Sequence, residues 1–155
     1  MIKKVVSSDR KIRIGIVGCG RISKSHFDSI EARADELELV AVCDTDSSVL
    51  NVHHEKYNVP MYLHLKEMLK NEDLDLVVLC TPSGLHARQA ELVAKNSVNV
   101  ITEKPMATRW HDGIRMVKAC DDAGVALFVV KQNRRNSTLQ LLKKAIDKGR
   151  FGRIY

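Results

Sequence analysis

A chain of 155 residues with 45% hydrophobic and 28% charged side chains has room for one packed core without disulfide or metal staples, which excludes a disordered polymer and a pair of ordinary domains. Its formal net charge of +6 is scattered over the helical segments, and with 5% aromatic residues it has no stacking platform for a nucleic acid. No apolar run approaches the roughly 18 residues of a membrane span.

Residues 1–10 lack the apolar centre of a signal peptide and read as a loose leader of a cytoplasmic protein. Four widely spaced cysteines, Cys19, Cys43, Cys80 and Cys120, form no C-x-x-C pair and read as reduced core thiols.

The stretch KIRIGIVGCGRIS, residues 11–23, joins an apolar strand to a helix through closely spaced glycines. Gly18 and Gly20 let the backbone turn tightly and approach a pyrophosphate with no Cβ in the way. Arg21 and Ile22 follow in the turn that opens the helix, whose free N–H groups and partial positive charge favour phosphate. Ser23 stands where the G-x-G-x-x-G/A pattern has Gly or Ala, a small residue but a departure. The helix is predicted over 21–33 with Ile22 and Ile30 inward, and His26 is read as a residue of the helix face rather than a catalyst.

A second apolar strand over 37–43 ends at Asp44, 24 residues beyond Gly20, where a carboxylate can accept bonds from the adenine ribose hydroxyls of NAD. Asp44, Thr45 and Asp46 make a turn and an N-cap for a helix reaching about Tyr57. The adjacent His53 and His54 lack a third ligand at metal spacing, so no metal site is expected. After the break at Asn58, Val59 and Pro60 come a short edge strand at Met61 and Tyr62 and a short helix over 64–70. Tyr62 and Lys66 spell Y-x-x-x-K, the pair of short-chain dehydrogenases, but on the wrong element; the match is read as chance.

Residues 74–80 are nearly all apolar, the mark of a central parallel strand buried on both faces. Thr81 and Pro82 end it, and a helix over 84–96 follows. A strand over 98–102 leads to Glu103, Lys104 and Pro105. Next come a helix over 108–122 with Trp110, Ile114 and Val117 inward, a strand over 125–130, and a helix over 136–148 with Leu139, Leu142 and Ile146 on one face. Six strands separated by helices imply a doubly wound parallel α/β sheet in the order 3-2-1-4-5-6. In such sheets ligands lie beyond the carboxyl ends of the strands, which puts the turns at 81–82 and 103–105 beside the cofactor. Lys131, Arg134, Arg135, Lys143, Lys144, Lys148, Arg150 and Arg153 stand against Asp147 alone in the last quarter, a setting suited to an anion.

The glycine turn, Asp44, CTPSGLH at 80–86 and EKP at 103–105 together resemble the glucose-fructose oxidoreductase, inositol dehydrogenase and rhizopine-catabolism (Gfo/Idh/MocA) family over practically the whole chain. The resemblance implies an NAD-dependent oxidoreductase whose Rossmann domain precedes a larger substrate domain. It implies that Lys104 lies near the nicotinamide and the reacting carbinol, that Glu103 fixes the cofactor or Lys104, and that the Lys104–Pro105 bond is cis. It places Thr81, Pro82 and His86 along the cofactor and further site residues, for the substrate, at Gln132, Asn133 and Arg134. The KQNR run at 131–134 is similar to that of enzymes oxidising the 3-hydroxyl of UDP-N-acetylglucosaminuronate, a sugar nucleotide.

On this reading residues 1–10 are a leader, 11–150 the dinucleotide-binding domain, and 151–155 the truncated start of the substrate domain, which in the family carries the general base. The full-length parent is expected to be a homo-oligomer acting on a small sugar or sugar nucleotide, with no nucleic-acid or membrane partner. A chain without that base could instead serve as a stand-alone dinucleotide-binding or sensing module.

Overall fold

In the computed structural model, which describes residues 10–153, six parallel strands alternate with helices. The strands are β1 (Ile12–Val17), β2 (Leu37–Cys43), β3 (Met61–Tyr62), β4 (Leu76–Leu79), β5 (Asn99–Thr102) and β6 (Leu127–Val129). The principal helices are α1 (Ser23–Glu31), α2 (Ser47–Tyr57), α3 (Leu65–Asn71), α4 (His86–Lys95), α5 (Trp110–Ala123) and α6 (Ser137–Asp147). The order across the sheet is β3-β2-β1-β4-β5-β6, as expected. The chain reverses direction of travel between β3 and β4, so β1 and β4 are neighbours, with Val17 opposite Leu79. That switch point opens a crevice where their carboxyl ends diverge.

Alternation along the strands divides the core between two faces of the sheet. Ile14, Ile16, Val42 and Val78 meet Phe27, Ile30 and Leu50 on the α1 and α2 side. Val17, Ala41, Val77, Leu79 and Val100 meet Met68, Ala90, Val93 and Met116 on the α3 to α5 side. Phe27, only 2% exposed, stacks on His53 at 4.4 Å and on Tyr57 at 5.0 Å between ring centroids, which locks α1 to α2.

Two expectations about helix faces are corrected. Ile22 lies outward in the turn that caps α1, and Phe27 joins Ile30 in its place. On α5 the inward stripe is Gly113, Met116 and Cys120, while Trp110, Ile114 and Val117 face outward, Trp110 being 84% exposed. Both stripes have helical spacing, so apolarity alone could not choose. Close approach did: a Cβ on Gly113 would lie 3.1 Å from Met106 Cε, so the small-residue side lets α5 settle against the 103–107 turn and α4. Leu139, Leu142 and Ile146 do share one side of α6, yet that helix buries none of its residues.

The expected leader lies outside the described residues except for Arg10, which is not loose. Its guanidinium donates to Asp75 at 2.6 and 2.8 Å, and the buried Asp75 carboxylate also takes the Arg13 N–H at 3.0 Å. Ile154 and Tyr155, the end of the expected second-domain start, also lie outside the described residues.

All four cysteines are free and buried. Burial, reinforced by Asp44, pushes the Cys19 thiol up to about 12; burial does the same for Cys43 and, with Glu103, for Cys80. An unfolded thiol ionises nearer 9, so between pH 9 and 12 the unfolded chain holds fewer protons than the folded one, and stability falls as pH rises. The urea midpoint is expected to drop from pH 8 to pH 10, with a smaller drop in Cys43→Ala. An equal drop in that variant would assign the effect to other groups.

Candidate functional site

The site forms where β1, β2, β4 and β5 end. Gly18 has φ +86, and a Cβ there would lie 2.7 Å from the Cys80 carbonyl carbon and 2.8 Å from Thr81 N. Gly18 is therefore required for the β1 turn to close on the β4 turn, the tight-turn half of its expected role. At Gly20, by contrast, a Cβ would meet nothing within 4 Å, so the backbone there stands open to an approaching group. The helix after it has no side-chain cap and no acid in its first turn, which leaves N–H groups for an anion. Ser23 suits the third motif position: it is 1% exposed, and its hydroxyl donates to Gly20 O at 2.6 Å.

Asp44 binds the glycine turn to the end of β2. Oδ2 accepts the Cys19 N–H at 2.7 Å and Oδ1 the Asp46 N–H at 3.0 Å, so each oxygen has one lone pair engaged and one left for a ribose hydroxyl. His53 Nε2 stands 3.2 Å from Cys19 O, supporting the same turn from α2. Among the described residues no group of three His, Cys, Asp or Glu side chains could hold a metal ion.

A groove of about 610 Å³ runs over these turns. Of the residues expected to bind the cofactor, Gly18, Gly20, Asp44, Thr81 and Pro82 line it, while Arg21 and Ile22 stay exposed outside its lining. The sequence reading missed Leu63, Leu85 and Arg88, which wall the same groove. Their signal was positional: Leu63 directly follows β3, and Leu85 and Arg88 lie in the 3-10 turn and first turn of α4 that follow β4. Lys66 also lines it, but Tyr62 donates its hydroxyl to Glu72, so the Y-x-x-x-K match makes no pair.

His86 is corrected more sharply. It is 1% exposed, with Nε2 2.8 Å from Thr81 O and Nδ1 2.9 Å from Pro105 O. It lies beneath the groove and ties the two turns together instead of lining the cofactor path. Thr81 in turn donates its hydroxyl to Gln89 of α4.

Past the ends of β5 and β6, a second cleft of about 360 Å³ gathers Lys104, Lys131, Gln132, Asn133 and Arg134. Three cations and no acid line it, an arrangement suited to a carboxylate or phosphate. The peptide bond after Lys104 is cis, as the resemblance implied. Glu103, 7% exposed, sits behind: Oε2 accepts the Lys104 N–H at 3.2 Å, and Oε1 lies 2.9 Å from His26 Nε2. The structure thus turns Glu103 toward Lys104 and α1, and gives His26 a partner that helical periodicity did not reveal.

The donor set fits an NAD-type dinucleotide: clearance at Gly20, an uncapped helix start, and a half-engaged carboxylate at Asp44. A 2′-phosphate beside that carboxylate would be repelled. NAD(H) is expected to bind more tightly than NADP(H), with the gap narrowed in Asp44→Ala. Titration with both cofactors checks this, and equal affinities in the unsubstituted protein would contradict it.

Comparison with known proteins agrees with this geometry. Residues 12–131 match the sequence model of the Gfo/Idh/MocA oxidoreductase family, NAD-binding Rossmann fold. Among solved structures, the WlbA dehydrogenase of Bordetella pertussis in complex with NADH and UDP-GlcNAcA is 58% identical, with a TM-score of 0.90 over 94% of this chain and 45% of that one. The WlbA enzyme of Chromobacterium violaceum, also with NADH and UDP-GlcNAcA, is 52% identical, with a TM-score of 0.94 over 100% of this chain and 45% of that one. D-apiose dehydrogenase of Paraburkholderia graminis is 31% identical over 153 residues, 98% of this chain and 40% of its own length. The chain thus spans less than half the length of these relatives. It belongs to the Gfo/Idh/MocA oxidoreductase family, of which it is an NAD-binding Rossmann domain.

Proposed function

We propose that the chain is the cofactor-binding half of a cytoplasmic dehydrogenase that oxidises the 3-hydroxyl of UDP-N-acetylglucosaminuronate. The observation that carries this reading is the identity of 52–58% to two chains crystallised with NADH and UDP-GlcNAcA, against 23% for the scyllo-inositol dehydrogenase of Lactobacillus casei. The cationic cleft around Lys104 and Arg134 supports it, because this substrate carries a carboxylate and a diphosphate. Residues 11–150 form the dinucleotide domain in this proposal, and 151–155 begin a substrate domain that completes the site and supplies the general base. The full-length protein works as a homo-oligomer.

Bound NAD would accept the hydride from the carbinol carbon. Gly20 and the start of α1 seat the pyrophosphate, Asp44 holds the adenine ribose, and Thr81 and Pro82 wall the path toward the reacting end. Lys104 presents an ammonium to the substrate oxygen that gains charge as the hydride leaves, a contribution that grows toward the transition state. Gln132 and Arg134 hold the sugar nucleotide from the opposite rim of the cleft.

The experiment is a substrate panel with the full-length protein, following NADH formation from UDP-N-acetylglucosaminuronate, D-apiose and myo-inositol. Turnover with the sugar nucleotide well above the other two is the expected result. Turnover confined to a neutral sugar would overturn the substrate, and an absence of turnover with bound NADH would favour the sensing module.

A further inference from the structure

The residues flanking Lys104 are held from opposite faces of the sheet by two histidines. On the α1 side, His26 Nε2 lies 2.9 Å from Glu103 Oε1, and the other oxygen of that carboxylate accepts the Lys104 N–H. On the α4 side, His86 Nδ1 lies 2.9 Å from Pro105 O. We infer that His26 is a positioning residue for Lys104: it holds the 103–105 turn through Glu103, so that the helix seating the cofactor and the lysine facing the substrate keep one fixed separation. This rests on the dehydrogenase reading above.

A carboxylate as buried as Glu103 needs donors on both oxygens, because burying a charge without them is costly. His26 supplies Oε1 and the Lys104 amide supplies Oε2. With the ring donor gone, Glu103 must turn to find another donor or water, and its grip on the Lys104 amide goes with it. His86 would still hold Pro105, so the turn would loosen at one end without unfolding. A shift near 1 Å at a reacting group can cost up to about 10²-fold in rate.

The test uses the full-length protein with His26→Phe, which keeps a flat ring and removes the donor, and His26→Gln, which restores an N–H in reach. His26→Phe is expected to lower kcat about tenfold with NADH affinity within about twofold of the parent. It is also expected to raise deuterium uptake across residues 103–107 about tenfold in rate, as a freed amide exchanges faster. His26→Gln should recover most of both losses. Should His26→Phe fold poorly, Glu103→Gln reads the same link, since an amide cannot accept on both sides, and the same two changes are expected.

Unchanged uptake and unchanged kcat in a folded His26→Phe would overturn the inference. So would a fall in NADH affinity that accounts for the whole effect, since His26 would then be supporting α1 alone. If the unsubstituted enzyme turns over none of the sugars, it is the substrate reading that fails, and uptake at 103–107 decides the role of His26 by itself.

Discussion

Lys104→Met in the full-length enzyme is expected to lower turnover by roughly 10²-fold or more while leaving NADH affinity little changed, by analogy with the loss of one preorganised donor from an oxyanion site. Methionine keeps most of the length and removes the ammonium, so packing in the cleft is largely preserved. Lys104 lies two residues past the end of β5, is exposed at the cleft, and is flanked by Glu103, whose carboxylate accepts its N–H, and by Pro105, whose carbonyl lies against His86. A charge so placed acts on the oxygen of a carbinol more strongly as hydride departs than before. Steady-state kinetics and NADH titration of the variant check this. Unimpaired turnover would reduce Lys104 to a residue of the turn.

Gly18→Val is expected to damage the fold itself. Two effects add there: a positive φ that costs an L-residue about 1–2 kcal/mol, and a Cβ placed 2.7 Å from a backbone carbon that no rotamer change can move. Overpacking of this kind adds roughly 1–3 kcal/mol. Against a typical total of about 5–15 kcal/mol, the variant should melt roughly 10 °C or more lower, or fail to accumulate as folded protein. Thermal unfolding followed by circular dichroism reads the shift. A melting point within about 2 °C of the parent would mean that the β1 and β4 turns do not close as described.

Sheet order was legible in the sequence because each apolar run was bounded by a turn residue and followed by a helical pattern, and right-handed crossovers leave few ways to arrange six such units. Gly20, Asp44 and Lys104 were legible as candidates because ligands of such sheets sit at strand ends, and each of these residues follows one. The faces of α5 were not legible. Trp110, Ile114 and Val117 form a stripe of equally regular spacing, but the small side chains of Gly113 and Cys120 decide how near the helix can come. His26 and His86 were hidden for another reason: their partners, Glu103 and Pro105, lie 77 and 19 residues away, and no local spacing encodes a bond across the sheet. The division of labour between Gly18 and Gly20 was likewise invisible, since both fit one motif and only the packing of Cys80 separates them.

The claim that the groove at the start of α1 seats the dinucleotide is tested most directly by Gly20→Val. A Cβ there meets no protein atom within 4 Å, so a side chain can leave the backbone without a clash at its first atom and the variant should fold like the parent, while filling the space that a pyrophosphate needs. Calorimetric titration with NADH is expected to show one saturable site in the parent and at least tenfold weaker binding in Gly20→Val, at an unchanged melting temperature. Equal NADH affinity in the two proteins would contradict the account and place the cofactor elsewhere.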